Sequence, residues 1–99
     1  MVRLQVDQIT ALVSATHDCF GTTSTIWLFG SRADDTKIGG DIDLYIETDM
    51  QSDIVAAKLK MRSLIWKVFG DQKIDILVRS TKEKPSPMHI IAKESGIQL

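Results

Sequence analysis

The spacing of apolar positions along the chain changes from segment to segment between the period of a helix and that of a strand. A first helix is indicated by residues that recur three or four positions apart, namely Ile9, Leu12, Val13 and Thr16. Asp7 is placed to cap this helix and Gly21 to end it. The run 25–29 is β-branched and aromatic, which predicts a strand buried on both faces. Residues 41–47 alternate strictly and predict a second strand, whose apolar side is formed by Ile42, Leu44 and Ile46.

The second half of the chain predicts a long helix followed by a strand. The helix runs from Ser52, a suitable N-cap, to Gly70. One apolar stripe follows it, formed by Ile54, Ala57, Met61, Leu64, Ile65 and Val68. Residues 73–78 predict a third strand, although Asp75 lies in its middle, where aspartate is disfavoured and costly to bury unpaired.

A short helix closes the predicted order of elements. Ser86 is placed to cap it, Pro87 occupies its first position, and it continues through Glu94. The order is therefore helix, strand, short helix, strand, helix, strand, helix. This order predicts an α+β protein, a small mixed β-sheet with helices packed mainly on one face. Ninety-nine residues are one domain's worth of chain, so 1–99 is expected to form a single domain.

Composition narrows the class of protein without identifying it. Apolar residues make up 43% of the chain, enough for a real core. The net charge of −1 lacks the basic surplus of a nucleic-acid-binding domain, so no direct nucleic-acid binding is expected. No apolar run approaches the roughly 18 residues of a membrane span, so no membrane association is expected either. A single cysteine, Cys19, and the lack of a leader make the cytoplasm the expected compartment.

The charges are distributed unevenly along the chain. Between positions 34 and 53, seven acidic residues stand against one lysine, whereas nine basic residues stand against four acidic ones from 54 onward. Two solvated faces would explain this asymmetry. The alternative is a cation site beside a surface that tolerates polyanions, and the motifs must decide between the two.

The first candidate motif is Gly30-Ser31, which follows the first predicted strand. A glycine there permits close approach of the backbone, and the free N–H groups of a following short helix suit a phosphate. Ser31 adds a hydroxyl. A simple turn and N-cap would explain the same two residues.

The second candidate is a set of three aspartates on two predicted strands. Asp41 and Asp43 lie two apart on a strand, so their side chains point the same way with Cα atoms about 6.6 Å apart. Such carboxylates can converge on Mg²⁺, whose shell is completed by substrate phosphates. Asp75 joins them if the second and third strands are neighbours. Otherwise Asp41 caps a turn, Asp43 faces solvent, and Asp75 lies on an edge strand open to water.

The combined pattern resembles the nucleotidyltransferase superfamily to which DNA polymerase beta belongs. That pattern is Gly30-Ser31, a spacer of nine residues, Asp41-Ile42-Asp43 and a later lone Asp75 on a strand. The segments 28–33 and 40–44 resemble more narrowly the minimal nucleotidyltransferases, or MNT proteins, and 88–96 resembles their C-terminal helix. The resemblance spans most of the chain, with one departure: members commonly have ten residues in the spacer.

The resemblance implies the nucleotidyltransferase fold and transfer of AMP from ATP to an acceptor hydroxyl, with release of pyrophosphate. On the family's pattern, Asp41 and Asp43 hold Mg²⁺ on the triphosphate. Asp75 completes a second metal site and helps to deprotonate or orient the attacking hydroxyl, so two ions are expected.

The resemblance also assigns phosphate contacts and a partner. Gly30 and Ser31 with neighbouring N–H groups would bind the β- and γ-phosphates, with Arg32 as a further contact. MNT proteins are typically paired with a HEPN protein, a helical partner that acts as an RNase toxin in the better understood systems. This chain would then be an antitoxin that adenylylates a hydroxyl of the toxin, expected to be a tyrosine, within a hetero-oligomer. The residues after Pro85 and the exposed face of the first helix are the expected contact segments.

Two alternatives of a different kind remain open. A non-catalytic antitoxin would keep the fold and neutralise its partner by binding. The catalytic half of a two-protein small-molecule nucleotidyltransferase would instead use a helical partner that carries a ligand pocket.

Overall fold

A computed structural model describes residues 4–30 and 41–99 of the chain. In chain order, its elements are α1 (Val6–Phe20), β1 (Thr25–Phe29), β2 (Ile42–Thr48), α2 (Ile54–Phe69), β3 (Ile74–Ser80), α3 (Pro87–Ser95) and β4 (Ile97–Gln98). The predicted α+β class is confirmed. The short helix expected between the first two strands falls within 31–40 and so lies outside the described residues.

The strands form one mixed sheet in the order β3-β2-β1-β4. β1 pairs antiparallel with both β2 and β4, and β2 pairs parallel with β3. The expected sheet had three strands, and the fourth, β4, was missed because two residues are too short to show an alternating pattern. The parallel pairing of β2 with β3 places the two strands that carry the candidate aspartates side by side, which confirms the predicted neighbourhood.

The N-cap agrees with the sequence at α3 and differs at α1 and α2, whereas Gly21 and Gly70 end α1 and α2 as predicted. The Ser86 hydroxyl accepts a hydrogen bond from the backbone N–H of His89, as an N-cap should. The cap of α1 is Gln5 rather than Asp7, because Gln5 and Gln8 satisfy each other's backbone donors in a capping box. Asp7 lies instead in the first turn of α1, where its negative charge interacts favourably with the positive end of the helix dipole.

The long helix α2 begins one residue later than expected. Its N-cap is Asp53, which has a left-handed backbone (φ 61°), rather than Ser52. The apolar stripe of α2 is also narrower than predicted. Ala57, Met61 and Ile65 are buried, whereas Leu64 and Val68 remain 37% and 42% exposed. The helix therefore seats only one narrow face on the core.

The main core lies between one face of the sheet and the helices α1 and α2. The even-numbered residues of β2, Ile42, Leu44 and Ile46, are fully buried there. They pack in one cluster with Leu12 of α1 and Met61 of α2, both also fully buried. This face supplies most of the hydrophobic stabilisation, since apolar burial contributes roughly 25 cal/mol per Å².

Helix α3 covers the opposite face of the sheet. Its Ala92 is fully buried against Trp27 and Tyr45, with Phe29 and Leu77 packed at the margin. Two of the three described helices therefore share one face, as predicted, and the third shares its face with the candidate aspartates. No helix within 4–30 and 41–99 has the length and apolar character required to cross a membrane.

Candidate functional site

The face of the sheet under α3 carries three rows of side chains that cross the strands. The acidic row is Phe29, Asp43 and Asp75; the aromatic row is Trp27, Tyr45 and Leu77; the ion-pair row is Thr25, Glu47 and Arg79. Residues opposite each other in register project from the same face of a sheet. The polar chemistry therefore lies at the two ends of this face, with aromatic packing between them.

The acidic row brings together two of the three predicted aspartates. Asp43 and Asp75 are register partners on parallel strands, which lie about 4.8 Å apart in sheets. Their carboxyl groups are within hydrogen-bonding reach of each other. Burial raises the pKa of Asp43 above its ordinary value, and the charges of Asp75 and Asp41 raise it further. Two carboxylates this close hold a proton between them or need a cation.

Asp75 occupies an edge strand, which explains why an aspartate is tolerated in the middle of β3. The strand β3 ends the sheet order, and the Asp75 side chain is exposed to solvent. The prediction that Asp75 shares a face with Asp43 is confirmed. Asp75 also has the exposed edge-strand position of the alternative interpretation, so the two are compatible. An exposed carboxylate beside a half-buried one is accessible to an incoming substrate.

Asp41 lies just before β2, at an exposed position. Its side chain is 55% exposed, and its Oδ2 is 3.8 Å from the Nζ of Lys73. Its charge still contributes to the raised pKa of Asp43. Among residues 4–30 and 41–99, no three acidic, histidine or cysteine side chains are already grouped tightly enough to hold a metal ion. The described geometry thus assembles a pair, Asp43 with Asp75, and places Asp41 at its margin.

Gly30 closes β1 directly against the acidic pair. Its backbone has a positive φ of 76°, a conformation that glycine adopts without steric cost. A Cβ at this position would clash with Oδ2 of Asp43 and lie 3.2 Å from its Cγ. The backbone at the end of β1 therefore approaches the Asp43 carboxylate closely, and its approach to a phosphate stays a prediction. Ser31 and Arg32 lie outside the described residues, so their phosphate contacts stay predictions.

A groove of about 400 Å³ opens over the acidic pair. Its apolar wall is formed by Phe29 of β1, Leu77 of β3 and Met88 of α3. An apolar wall beside carboxylates excludes water from one side of a bound group and strengthens the electrostatic interactions within the groove.

Two basic residues that the sequence analysis missed also line this groove. Lys58 and Arg62 lie one turn apart on α2 and reach the groove at the exposed edge of β3. The Nη1 of Arg62 also donates a 2.6 Å hydrogen bond to the carbonyl oxygen of Ile74, which ties α2 to β3. Their signal in the sequence is the run of basic residues without an acidic one in the long helix, which contributes to the uneven distribution of charge.

The ion-pair row at the far end of the face is a separate buried cluster. Glu47, whose side chain is 14% exposed, accepts hydrogen bonds from the Tyr45 hydroxyl at 2.8 Å, Arg79 Nη1 at 3.2 Å and Lys93 Nζ at 3.3 Å. Burial alone would raise the pKa of Glu47, but the hydrogen bonds from Tyr45 and Lys93 and the two positive charges lower it. Burial and the bond to Glu47 raise the pKa of Tyr45 to about 12.

This cluster fixes α3 on the sheet and so sets the apolar wall of the groove. The His89 ring stacks on the Tyr45 ring with centroids 5.7 Å apart, and Lys93 Nζ lies 5.1 Å from the Trp27 ring centroid. Met88, at the groove, precedes His89 in the same helix.

Comparison with known proteins adds no relative: no family model matches the chain, and a search of curated proteins finds none that matches. The class of protein is defined by the fold alone. The order of elements and the mixed sheet are consistent with a small nucleotidyltransferase-like fold.

Proposed function

We propose that this chain is a Mg²⁺-dependent nucleotidyltransferase that transfers AMP from ATP to a hydroxyl of a partner protein. The observation that carries the proposal is the acidic row, in which Asp43 and Asp75 stand in register beside the glycine turn at Gly30. A pair of carboxylates next to a close backbone approach is what a metal-bound triphosphate requires.

The donor set fits magnesium on its chemistry. Carboxylate oxygens are the hard ligands that Mg²⁺ prefers, and Asp43 and Asp75 crowd two negative charges into a half-buried place. Burial and the charges of Asp75 and Asp41 raise the pKa of Asp43, and a bound cation would offset the repulsion between these carboxylates. Asp43 and Asp75 would hold the metal, with Asp41 as a third ligand and room for two ions. When bound, magnesium neutralises charge on the triphosphate and on the departing pyrophosphate.

The chain's own residues position the substrates for an in-line displacement. The exposed carboxylate of Asp75 accepts the proton of the attacking hydroxyl, whose oxygen forms a bond to the α-phosphorus of ATP. The bond from that phosphorus to the bridging oxygen breaks, and pyrophosphate leaves with its electron pair. Gly30 lets the backbone contact the phosphates, together with Ser31 and Arg32. The apolar wall with Met88 shields the groove from water.

The proposed acceptor is a helical HEPN-type toxin, on a tyrosine hydroxyl, with this chain as its antitoxin in a hetero-oligomer. This assignment rests on the family resemblance of the sequence motifs. We place the reaction in the cytoplasm, with which the free, buried Cys19 agrees. A binding antitoxin, or half of a small-molecule nucleotidyltransferase, would use the same fold and is separated from the proposal by experiment.

The test is the intact mass of the protein encoded next to this one after co-expression. The wild-type chain is expected to add whole AMP units to it, whereas the double variant Asp41→Ala/Asp43→Ala adds none. Asp71→Ala removes a carboxylate that is exposed and outside the groove, so it is the matched control and should retain full transfer.

The other outcomes of this experiment distinguish the alternative functions. An unmodified partner that still co-purifies would favour the binding antitoxin. An unmodified partner with a ligand pocket would favour the small-molecule enzyme. Full transfer by the double variant would show that the acidic row is not the site.

A further inference from the structure

Helix α2 is basic along its whole length. Its 16 residues include Lys58, Lys60, Arg62 and Lys67, and no acidic residue. Within the described residues, none of these four side chains forms a salt bridge to a carboxylate. The helix thus carries four positive charges without an ion-pair partner among residues 4–30 and 41–99, on a chain whose net charge is −1.

The same helix exposes a line of large apolar side chains away from the core. Val55 is 72% exposed, Leu59 61% and Trp66 60%. On a helical projection the three residues fall within about 40° of one another. Together with Arg62 they follow the four-three-four spacing of a helix-packing seam.

The basic residues lie on both sides of this seam, which we call the α2 seam and define by Val55, Leu59 and Trp66. At 100° per residue, Lys58 and Arg62 lie on one side of it, and Lys60 and Lys67 lie on the other. An apolar line between two basic edges is complementary to an amphipathic helix whose apolar line lies between acidic edges.

We infer that the α2 seam docks an acidic amphipathic helix of the acceptor protein. The identity of the occupant as the acceptor rests on the proposed function. Lys58 and Arg62 belong both to one edge of the seam and to the lining of the groove over Asp43 and Asp75. A helix seated on α2 therefore runs to the mouth of the groove, where the same partner chain presents its hydroxyl. It follows that the acceptor hydroxyl lies near acidic residues of the partner.

The observations favour a protein over the two other classes that bind basic helices. Nucleic acid would be repelled by Asp43 and Asp75 in the adjoining groove. It binds through its phosphates and through stacking on aromatic rings, so exposed aliphatic residues such as Val55 and Leu59 would not contribute to its binding. A membrane-surface helix inserts a wide apolar face, whereas the exposed apolar line of α2 is narrow and the face with Ala57, Met61 and Ile65 is occupied by the core.

The probe is a pair of fluorescein-labelled helical peptides of equal length, each with a leucine seam and one tyrosine. One peptide has glutamates at the edges of the seam and the other has lysines. Binding is measured by anisotropy without ATP or Mg²⁺, so the result is independent of catalysis. The acidic peptide is expected to bind at least about tenfold more tightly than the basic one, and to shift the fluorescence of exposed Trp66 to shorter wavelength.

The matched variants are two charge-reversed chains. Lys60→Glu/Lys67→Glu alters the edge of the seam that does not line the groove and should weaken the acidic peptide about tenfold or more. Lys82→Glu/Lys84→Glu makes the same change of charge on exposed lysines after β3 and should leave binding unchanged. Leu59→Ser should weaken both peptides.

Equal affinity for the two peptides, or equal loss in both charge-reversed variants, would overturn the docking proposal. Tighter binding to polyuridine RNA or to phosphatidylcholine vesicles with phosphatidylglycerol, lost in Lys60→Glu/Lys67→Glu, would overturn it in favour of those ligands. Binding of the acidic peptide without AMP transfer to its tyrosine, once ATP and Mg²⁺ are added, would support docking and count against the proposed activity alone.

Discussion

Replacement of Asp43 by asparagine should stabilise the fold while it removes the proposed activity. Burial, with the charges of Asp75 and Asp41, raises the pKa of Asp43 in the folded chain. A carboxyl whose folded pKa is raised contributes stability below its unfolded pKa and loses that contribution as the pH rises through the folded value. At pH values above the folded pKa of Asp43, its charge therefore opposes folding. Asparagine has the same shape, removes the repulsion and can donate a hydrogen bond to Asp75.

The magnitude follows from the position of the two charges. Asp43 and Asp75 are directly opposite each other across two strands, where like charges are destabilising by up to about 1 kcal/mol. A gain of about 0.5–1 kcal/mol in a domain of this length raises the melting temperature by about 2–8 °C. Asp71→Asn changes the net charge equally at an exposed site and should shift the free energy of unfolding by less than about 0.5 kcal/mol.

The assay is thermal unfolding followed by circular dichroism at pH 7, first with EDTA and then with MgCl₂. In EDTA the Asp43→Asn chain should melt above the wild type. Added Mg²⁺ should raise the melting temperature of the wild type and of Asp71→Asn, because a ligand that binds only the folded state stabilises it, and should leave Asp43→Asn unchanged. If Asp43→Asn melts at or below the wild-type temperature in EDTA, the two carboxylates do not repel each other and the reasoning about the pair is wrong.

Three other variants test the neighbours of the site. Gly30→Ala should destabilise the fold by about 1–2 kcal/mol in urea unfolding and abolish ATP binding, because its Cβ meets the Asp43 carboxylate. Gly21→Ala is the control, because Gly21 also has a positive φ but no atom lies within 4 Å of an added Cβ. It should lose stability and keep ATP binding. Glu47→Gln should lower the free energy of unfolding at pH 7 by about 2 kcal/mol and make it less dependent on pH in the acid range. A carboxylate with a lowered folded pKa stabilises the fold above its unfolded pKa, and this stabilisation is lost as the pH falls through the folded pKa. Tyr45→Phe removes only the hydroxyl that donates to Glu47 and should cost about 1 kcal/mol; no loss in urea unfolding would mean that this bond contributes nothing.

Much of this architecture could be predicted because its signals are local. Strict alternation over 41–47 defined both faces of β2, and the Ser86-Pro87 pair marked the start of α3. Gln5 was missed as a cap because glutamine is a weak capping residue, and it caps here only through the reciprocal bond with Gln8. Spacing within one element was enough to predict the faces of β2 and the start of α3. The Gln5 cap depends on a pair of side chains.

The features that could not be predicted depend on how separate elements meet. No pattern in α2 indicates that Lys58 and Arg62 would reach over the edge of β3 to a groove on the other side of the sheet. The exposure of Trp66 depends equally on which face of α2 the sheet leaves uncovered. The pairing of Asp43 with Asp75 could be predicted only on the condition that the second and third strands are neighbours in the sheet.

The apolar face of β2 is what holds the acidic pair in place. Side chains alternate along a strand, so a slip of one residue between β2 and β3 would exchange every residue between the two faces. Such a slip would bury Asp43 among Leu12 and Met61 and bring Ile42 and Leu44 to the groove. The cost would be several kcal/mol for the buried charge and about 1.5–3 kcal/mol for each apolar side chain that loses its burial. The core therefore fixes the register, and the register alone sets Asp43 opposite Asp75. The repulsion between them, about 1 kcal/mol at most, is too small to disturb that register.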